Sequence, residues 1–464
     1  MTPEARDSLD KDGQQALLLA QAEQIRLLLE QNAALTAQNA ALTARVAELE
    51  ARLNVPPKTP SNSSLPPSTG RKANRPEGKG KRRKGRPGVA RALCAEPDQT
   101  REIYAERCPG CGAVLSADDQ PHVHAYDHID LPPIKPVTTR VHLHKGSCPG
   151  CKRRVAARPP ADMAPNSPFG PGIVSTVTYL HASQMVSYSR LTEMMGGLFG
   201  LTVSEGAIAN MLRRAARPFA DAADTIAETV RQSPVIASDE TSARVAGKTW
   251  WQWTFGAATA VYHTIVPTRG KCVPVEFLGD ARPKVWLSDR LAAQCGHAEA
   301  HQVCLAHLIR EAQYAIDAGD TVFAPAFKAF LQRACAIGRR RPGLADTTLA
   351  KYARELAAER DRVLGLPAAA TAGAKLRASV AVGARTKLLV FMTWRDVEPT
   401  NNGSERELRP SVIFRKVTGG FRSVWGAESY ADIRSIVATG RLHGRSPLDA
   451  IRAALAPAPG AVPA

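Results

Sequence analysis

The sequence predicts a multidomain α/β protein, in which a long helical segment and a small cysteine-rich module precede a core of mixed strands and helices. Leucines recur at heptad spacing near the N-terminus, and two C-P-G-C motifs follow. Short apolar runs then alternate with helical patterns. A chain of 464 residues with 44% hydrophobic residues suffices for about two to four folded units.

Charge and cysteine usage restrict the class of partner. Lys and Arg number 61 against 43 Asp and Glu, a formal net charge of +18, which favours a nucleic-acid partner. No apolar run reaches the ~18 residues of a membrane helix, and Thr2, Pro3 and Glu4 do not resemble a secretory leader. We therefore expect neither membrane insertion nor secretion. Nine cysteines in such a chain favour metal ligation over a disulfide framework.

Residues 1–53 are predicted to form a leucine zipper. One seam position holds Leu18, Ile25, Asn32, Asn39, Val46 and Leu53, and the other holds Leu28, Leu35, Leu42 and Leu49. Asn within a leucine seam favours a parallel two-stranded coiled coil, because buried Asn pairs only in register. The sequence thus predicts a homodimer through residues 15–53. The alternative is an amphipathic helix packed on its own protein.

Residues 54–91 are predicted to be a disordered basic linker. The segment is rich in Pro, Ser and Gly and ends in a run that includes Lys81, Arg82, Arg83, Lys84 and Arg86. Such a run binds phosphates without sequence specificity through counterion release. A solvated tether without a specific role is the alternative.

Residues 92–160 are predicted to form a zinc module. Cys108, Cys111, Cys148 and Cys151 lie in two C-P-G-C knuckles, and four thiolates complete the tetrahedral shell of a structural zinc. The apolar alternation from Ile129 to Leu143 predicts a β-hairpin between the knuckles. A redox pair or an iron–sulfur cluster is the alternative.

Residues 161–232 are predicted to be a helical region of DNA-binding type. Thr202 and Glu205 have the spacing of a capping box, and Gly196, Gly197 and Gly200 are expected to interrupt the preceding helix. The arrangement is similar to a helix-turn-helix with Arg213, Arg214 and Arg217 near its end. Two helices that merely pack together are the alternative.

The acidic residues of interest follow predicted strands. Residues 235–238 form an apolar run that ends at Asp239, and residues 284–287 form another that ends at Asp289. Two intervening strands, 249–256 and 260–266, would form a meander with the first. If the two acid-bearing strands are neighbours, their carboxylates can share divalent cations. Glu405 is a third carboxylate, in a helix predicted to begin behind Thr400.

Three local motifs resemble the insertion sequence sixty-six family of DDE transposases. They are Ser-Asp-Glu-Thr at 238–241, His-Gln-Val-Cys-Leu-Ala-His-Leu-Ile-Arg at 301–310, and Asn401-Asn402 with Glu405-Arg406 and Leu408-Arg409-Pro410 after it. The order of zipper, linker, cysteine module and acidic core resembles that family as well. The resemblance implies a ribonuclease H-like catalytic domain at 233–426 with a helical insertion at about 316–395. Residues 427–464 are then C-terminal helices and a tail.

This resemblance implies a chemistry. Asp239, Asp289 and Glu405 match the catalytic carboxylates, which would hold a pair of magnesium ions for cleavage at element ends and strand transfer into target DNA. The family commonly places Gly and Tyr after the second Asp, whereas Arg290 and Leu291 follow here. Asp280 is therefore the alternative second carboxylate.

The motif at 301–310 contains His301, Cys304 and His307, residue types that could ligate a second metal ion. At a strand-to-helix junction, these residues are instead expected to pack or to orient the active site.

The resemblance also implies partners and a location. Double-stranded DNA is the expected partner, with contacts from Arg406, Arg409, Arg415 and Lys416. Accessory proteins encoded by the same element are further candidates. The expected location is the bacterial cytoplasm, on the nucleoid when DNA is bound. A non-catalytic DNA-binding regulator, a decayed transposase and a general ribonuclease H-like nuclease are the competing functions.

Overall fold

The computed structural model describes residues 11–53, 56–63, 91–122, 124–160, 163 and 167–456. The chain divides into two compact units. The first unit comprises Met1–Gly70 and Lys284–Asn402, and the second comprises Arg71–Pro283 and Gly403–Ala464. The basic run from Lys81 to Arg86 lies outside the described residues.

Helices outnumber strands in the part of the chain that the structure describes. The helices are α1 (Lys11–Leu53), α2 (Pro171–Thr178, extended by a π-turn at Tyr179–Ser183), α3 (Tyr188–Phe199), α4 (Glu205–Arg231), α5 (Cys272–Leu278), α6 (Leu305–Asp317), α7 (Phe323–Arg340), α8 (Asp346–Leu364), α9 (Thr371–Gly383), α10 (Asn402–Thr418), α11 (Val424–Leu442) and α12 (Pro447–Leu455). The strands are β1 (Lys145–Ser147), β2 (Arg154–Ala156), β3 (Val235–Val245), β4 (Lys248–Gly256), β5 (Val261–Val266), β6 (Val285–Ser288) and β7 (Ala300–Val303). This mixture of antiparallel pairs, a parallel pair and many helices fits the predicted α/β class.

Helix α1 is a continuous helix of 43 residues. The seam leucines whose side chains the structure describes are exposed, with Leu18 at 60%, Leu28 at 56% and Leu42 at 63%. A leucine stripe left in water is the surface that a coiled-coil partner buries. The alternative, in which the stripe packs on its own chain, finds no support among the described side chains of this helix.

The segment after α1 is attached to the first unit. Asn62 is only 4% exposed, and its Oδ1 accepts a hydrogen bond of 2.6 Å from the Thr59 backbone N–H. Its Nδ2 donates to Asp317 Oδ2 at 2.8 Å. Residues 56–63, predicted as the start of the linker, are therefore an ordered turn held at the end of α6.

The second unit contains the predicted meander, which is confirmed. Strands β3, β4 and β5 pair antiparallel, with Asp239 opposite Thr254 and Thr254 opposite His263. Helix α11 packs on β5, where the His263 backbone N–H donates to Ser435 Oγ at 2.8 Å.

The prediction that the first strand ends at Asp239 is wrong. Strand β3 continues to Val245, because Ala243 and Val245 are buried and residues up to Val245 pair with β4. Asp239 therefore lies in the middle of a long strand.

The helical region of this unit has different boundaries from those predicted. Helix α3 runs through Gly196 and Gly197 and ends at Gly200, whose φ of 65° is left-handed. The N-cap of α4 is Ser204, whose side chain accepts from the Ala207 N–H at 3.2 Å. The predicted capping box at Thr202 is therefore wrong, because Ser204 stands one residue before the first helical residue and satisfies the orphan donor itself.

The predicted hairpin at 129–143 is also absent. Ile129, Leu131 and Val137 are 63%, 83% and 93% exposed, so their alternation faces no core against which a strand could pack. Pro132, Pro133 and Pro136 remove ladder donors from the same stretch. The two strands of the module instead flank the second knuckle, where β1 pairs antiparallel with β2.

The first unit consists of a parallel strand pair and helices. Ser288 of β6 lies opposite Val303 of β7. Helices α7, α8 and α9 lie within residues 316–395, the stretch predicted to be helical, and the stacked Phe323, Phe327 and Phe330 form part of their core. Of the helices whose residues the structure describes, none is long and apolar enough to cross a membrane.

Asp432 of α11 makes the stability of the second unit depend on pH. Burial, reinforced by Asp224 and Glu428, raises the pKa of Asp432 to about 7. In the unfolded chain Asp432 has the ordinary, lower pKa of an aspartate. As the pH rises from that value towards 7, the unfolded chain therefore releases the Asp432 proton while the folded protein keeps it, and the free energy of unfolding falls.

We expect Asp432→Asn to raise the thermal unfolding midpoint at pH 8 and to have much less effect at pH 4. Asp221→Asn, an exposed aspartate of α4, is the control, and an equal gain there would contradict the prediction.

Candidate active site

Asp239 lies within β3, next to a glutamate that is buried in an ion pair with a partly exposed arginine. The Glu240 backbone N–H donates to Asp239 Oδ1 at 2.9 Å. The Glu240 side chain is 1% exposed, and its Oε1 accepts from Arg269 Nε at 3.0 Å and Nη2 at 2.7 Å. Arg269 in turn lies over the Trp251 ring at 4.7 Å. These contacts hold the strand immediately after Asp239 in one position.

Asp289 directly follows β6, as predicted. Its Oδ1 accepts from the Leu291 backbone N–H at 2.9 Å, which makes a short turn at the strand end. The three residues before it, Trp286, Leu287 and Ser288, are buried. The turn therefore starts from a rigid strand, and one carboxylate oxygen is oriented by the backbone.

His301 of β7 supports this turn. Burial, with a smaller contribution from Lys387, lowers the pKa of His301 to about 4, so its ring is neutral at pH 7. Its Nε2 lies 2.9 Å from Ser288 Oγ. Ser288 Oγ donates its only proton to the Asp289 carbonyl at 3.0 Å, so the His301 Nε2–H must be the donor to Ser288.

Cys304 and His307 lie at the junction between β7 and α6. A His307 ring nitrogen and Cys304 Sγ lie within 4.8 Å of each other. Cys304 is 1% exposed, and its Sγ accepts from the Asn401 backbone N–H at 3.1 Å. Within the first unit, Cys304 therefore orients the segment that leads into α10, and His301 takes no part in this pair.

Glu405 lies in the first turn of α10, where the helix dipole favours a carboxylate. The C-terminal part of this helix is joined to β3 within the second unit. Arg415 donates to the Ser242 carbonyl and to Ser242 Oγ. Phe421 N–H donates to the Arg244 carbonyl at 2.8 Å. The elements that carry Asp239 and Glu405 are thus connected by direct hydrogen bonds.

The cations predicted to contact DNA have different environments. Arg406, Arg409 and Lys416 are exposed, and their spacing of three and seven residues places them on one side of α10. Arg415 is half-buried and bonded to β3, so it serves the fold in this structure. The cations of the predicted linker lie outside the described residues.

The two cysteine knuckles have matching turns. Gly112 N–H donates to the Cys108 carbonyl and Lys152 N–H to the Cys148 carbonyl, each at 2.9 Å. The backbone N–H of Cys111, then that of Gly110, lowers the pKa of Cys108.

The second knuckle repeats this pattern at Cys148, with Cys151 and Gly150 as donors. Both turns therefore favour thiolates. Within the described ranges, however, the four sulfur atoms do not form one cluster with every member within 4.8 Å of the others.

A family model described as Transposase IS66 family matches residues 166–429. The chain belongs to the IS66 transposase family. All three predicted carboxylates and the motif at 301–310 lie inside the match, while the zipper, the linker and the cysteine module precede it. A comparison with the curated proteins finds no match.

Sequence reasoning missed two arrangements beside the carboxylates. Arg269 approaches Glu240 from 29 residues away, and no sequence pattern joins them. Arg290 contacts Glu311 and Ser379. The sequence indicated something unusual at Arg290 only in that Arg290 and Leu291 stand where the family commonly has Gly and Tyr.

Proposed function

We propose that this IS66 family member is an active DDE transposase that cleaves DNA at element ends and joins the freed ends to target DNA. The family match that encloses Asp239, Asp289 and Glu405 carries this proposal. The catalytic domain is a ribonuclease H-like core interrupted by helices α7, α8 and α9.

The proposed ligands suit magnesium. Each of the three residues offers carboxylate oxygens, the donors that Mg²⁺ prefers. When bound, the metal supplies Lewis-acid charge to the phosphoryl oxygens during displacement.

The protein groups provide orientation. The Leu291 N–H holds one oxygen of Asp289, so the other oxygen is available as a ligand in a defined direction. Neutral His301 positions the same turn through Ser288 and brings no positive charge near Asp289. Glu405 lies in the first turn of α10, and the last turn of this helix is hydrogen-bonded to β3 through Arg415. Each of these contacts orients one carboxylate, or the element that carries it, within its own unit.

DNA binding is assigned to exposed cations. Arg406, Arg409 and Lys416 on one side of α10 would contact backbone phosphates, which position DNA without reading its sequence. The basic run from Lys81 to Arg86 would add a salt-sensitive affinity.

An in vitro assay tests the function. The full chain is incubated with Mg²⁺ and DNA carrying the repeats that flank its own locus, and nicked and joined products are resolved. Cleavage at the ends followed by joining is expected. Binding without cutting would identify a regulator or a decayed transposase, and cutting without end preference or joining would identify a general nuclease.

We also propose that the cysteine module holds one structural zinc. The two knuckles favour thiolates, and a module so poor in buried residues needs a metal for its fold. The four sulfur atoms do not form one cluster in this structure, so the knuckles would have to approach each other to surround one zinc. We expect one zinc per freshly purified chain and loss of that zinc in Cys108→Ser with Cys148→Ser. Metal analysis decides this, with Cys94→Ser, an exposed cysteine outside the knuckles, as the control. Zinc-free parent protein would refute the assignment.

The exposed seam of α1 supports a parallel homodimer. Replacing Asn32 and Asn39 by Leu should stabilise the assembly and broaden its oligomeric states, because buried Asn restricts partner number and register. Analytical ultracentrifugation of the full chain measures the states present. Ala37→Leu, at the exposed heptad position opposite the seam, is the control. A monomeric parent at tens of micromolar would contradict the dimer, as would an antiparallel arrangement by cross-linking.

A further inference from the structure

Arg290 follows Asp289 directly and spans two helices of the first unit. Its Nη1 donates to Ser379 Oγ of α9 at 2.8 Å, and its Nη2 pairs with Glu311 of α6. The Arg290 side chain is 26% exposed and that of Glu311 37%. The guanidinium is thus held by one carboxylate and one hydroxyl.

These contacts act on the turn that carries Asp289. Arg290 is the residue between Asp289 and Leu291, whose N–H binds Asp289 Oδ1. A side chain tied to α6 and α9 fixes the peptide units on both sides of it. The direction of the Asp289 carboxylate therefore depends on the Arg290 anchor as well as on the Ser288–His301 contact.

The positive charge of Arg290 is a second reason for its ion pair with Glu311. An arginine next to a carboxylate that binds metal ions would repel those cations and compete for the carboxylate. The bond to Glu311 neutralises this charge and directs the guanidinium towards α6. A basic residue at this position is thus compatible with a cation site only while its ion pair persists.

We infer that Arg290 is a positioning residue for Asp289, with Glu311 and Ser379 as its anchors. The inference rests on the proposed function, in which Asp289 is a metal ligand. It also assigns a role to the arginine that departs from the family pattern: the anchor couples the second carboxylate to helix α9 of the insertion.

The test measures metal binding and cleavage in the full chain. Mn²⁺ binding is followed by electron paramagnetic resonance, and cleavage is titrated with Mg²⁺. Because contacts of this kind typically change metal affinity about 10- to 100-fold, Arg290→Gln should raise both half-saturating metal concentrations at least about tenfold. DNA affinity should not change. Arg290→Lys should restore part of the effect, since lysine can pair with Glu311 but cannot also reach Ser379 in a forked geometry.

Arg333→Gln is the matched control. Arg333 pairs with Glu355 and Glu359 within α7 and α8 and touches no residue of the Asp289 turn among its described contacts. If Arg290→Gln and Arg333→Gln show the same metal dependence, the inference is wrong. If thermal unfolding shows that Arg290→Gln does not fold, Ser379→Ala is the replacement variant, because it removes only one hydrogen bond from an exposed residue. An unchanged metal dependence in Ser379→Ala would then also overturn the inference.

Asp289→Asn distinguishes a failure of the proposed role of Asp289 from a failure of the inferred role of Arg290. If Asp289→Asn binds Mn²⁺ and cleaves DNA like the parent, the proposed role of Asp289 fails. If Asp289→Asn abolishes both while Arg290→Gln matches the control, only the role of Arg290 fails.

Discussion

Asp239→Asn, Asp289→Asn and Glu405→Gln should each abolish cleavage and strand transfer while DNA binding remains nearly intact. Each change removes a negative charge but little volume. Divalent ions at two phosphoryl oxygens need anionic ligands, and an amide in place of one ligand raises the barrier by about 3 kcal/mol or more. Affinity for DNA should persist because it comes from the basic segments. Gel assays of nicking, joining and binding on DNA with the flanking repeats measure all three.

Asp280→Asn is the built-in control for the second carboxylate. Asp280 is an exposed residue that follows the short helix α5, not a strand, and the variant should retain activity. If Asp280→Asn is inactive and Asp289→Asn is normal, the second carboxylate is misassigned. A further outcome is that the parent and all four variants are equally inactive with Mg²⁺ or Mn²⁺ on DNA that carries the correct element ends. In that case the protein is a DNA-binding regulator or a decayed transposase, and the proposal of an active transposase is wrong.

Gly420→Ala should both destabilise the second unit and impair catalysis. Gly420 has a φ of +108°, and a Cβ there would lie 2.6 Å from Arg244 Cβ and from the Arg244 carbonyl oxygen of β3. The neighbouring Phe421 bonds to the same strand, so relief of the contact must move β3 and the segment after α10 apart. Backbone strain and overpacking together should cost about 3 kcal/mol. Thermal unfolding and the cleavage rate measure the two effects.

Gly419→Ala separates close approach from backbone conformation. Gly419 also has a left-handed φ, +75°, but no atom lies within 4 Å of its added Cβ. Alanine there should cost only about 1 kcal/mol and should leave the cleavage rate of the folded protein close to that of the parent. Equal losses in the two variants would show that the contact with Arg244 does not position β3.

Features predicted from the sequence depended on local patterns. The heptad spacing predicted helix α1, and apolar runs bounded by polar residues predicted β4, β5 and β6. The resemblance to the family implied helices at about 316–395, and the composition of that segment suits them. The failures arose where packing overrides a local pattern: β3 extends past Asp239 because β4 continues to pair with it, and residues 129–143 form no hairpin because they have no core to face.

The sequence by itself predicted the family, the three candidate carboxylates and the strands that contain or precede Asp239 and Asp289, because motif identity and periodicity reside in neighbouring residues. Only the tertiary structure decided which side chains support those carboxylates. Arg269 reaches Glu240 across 29 positions, and Arg290 reaches Ser379 across 89. Asn62 reaches Asp317 across 255 positions. Such contacts depend on how the chain folds back on itself, and a single sequence carries no periodic signal of that distance.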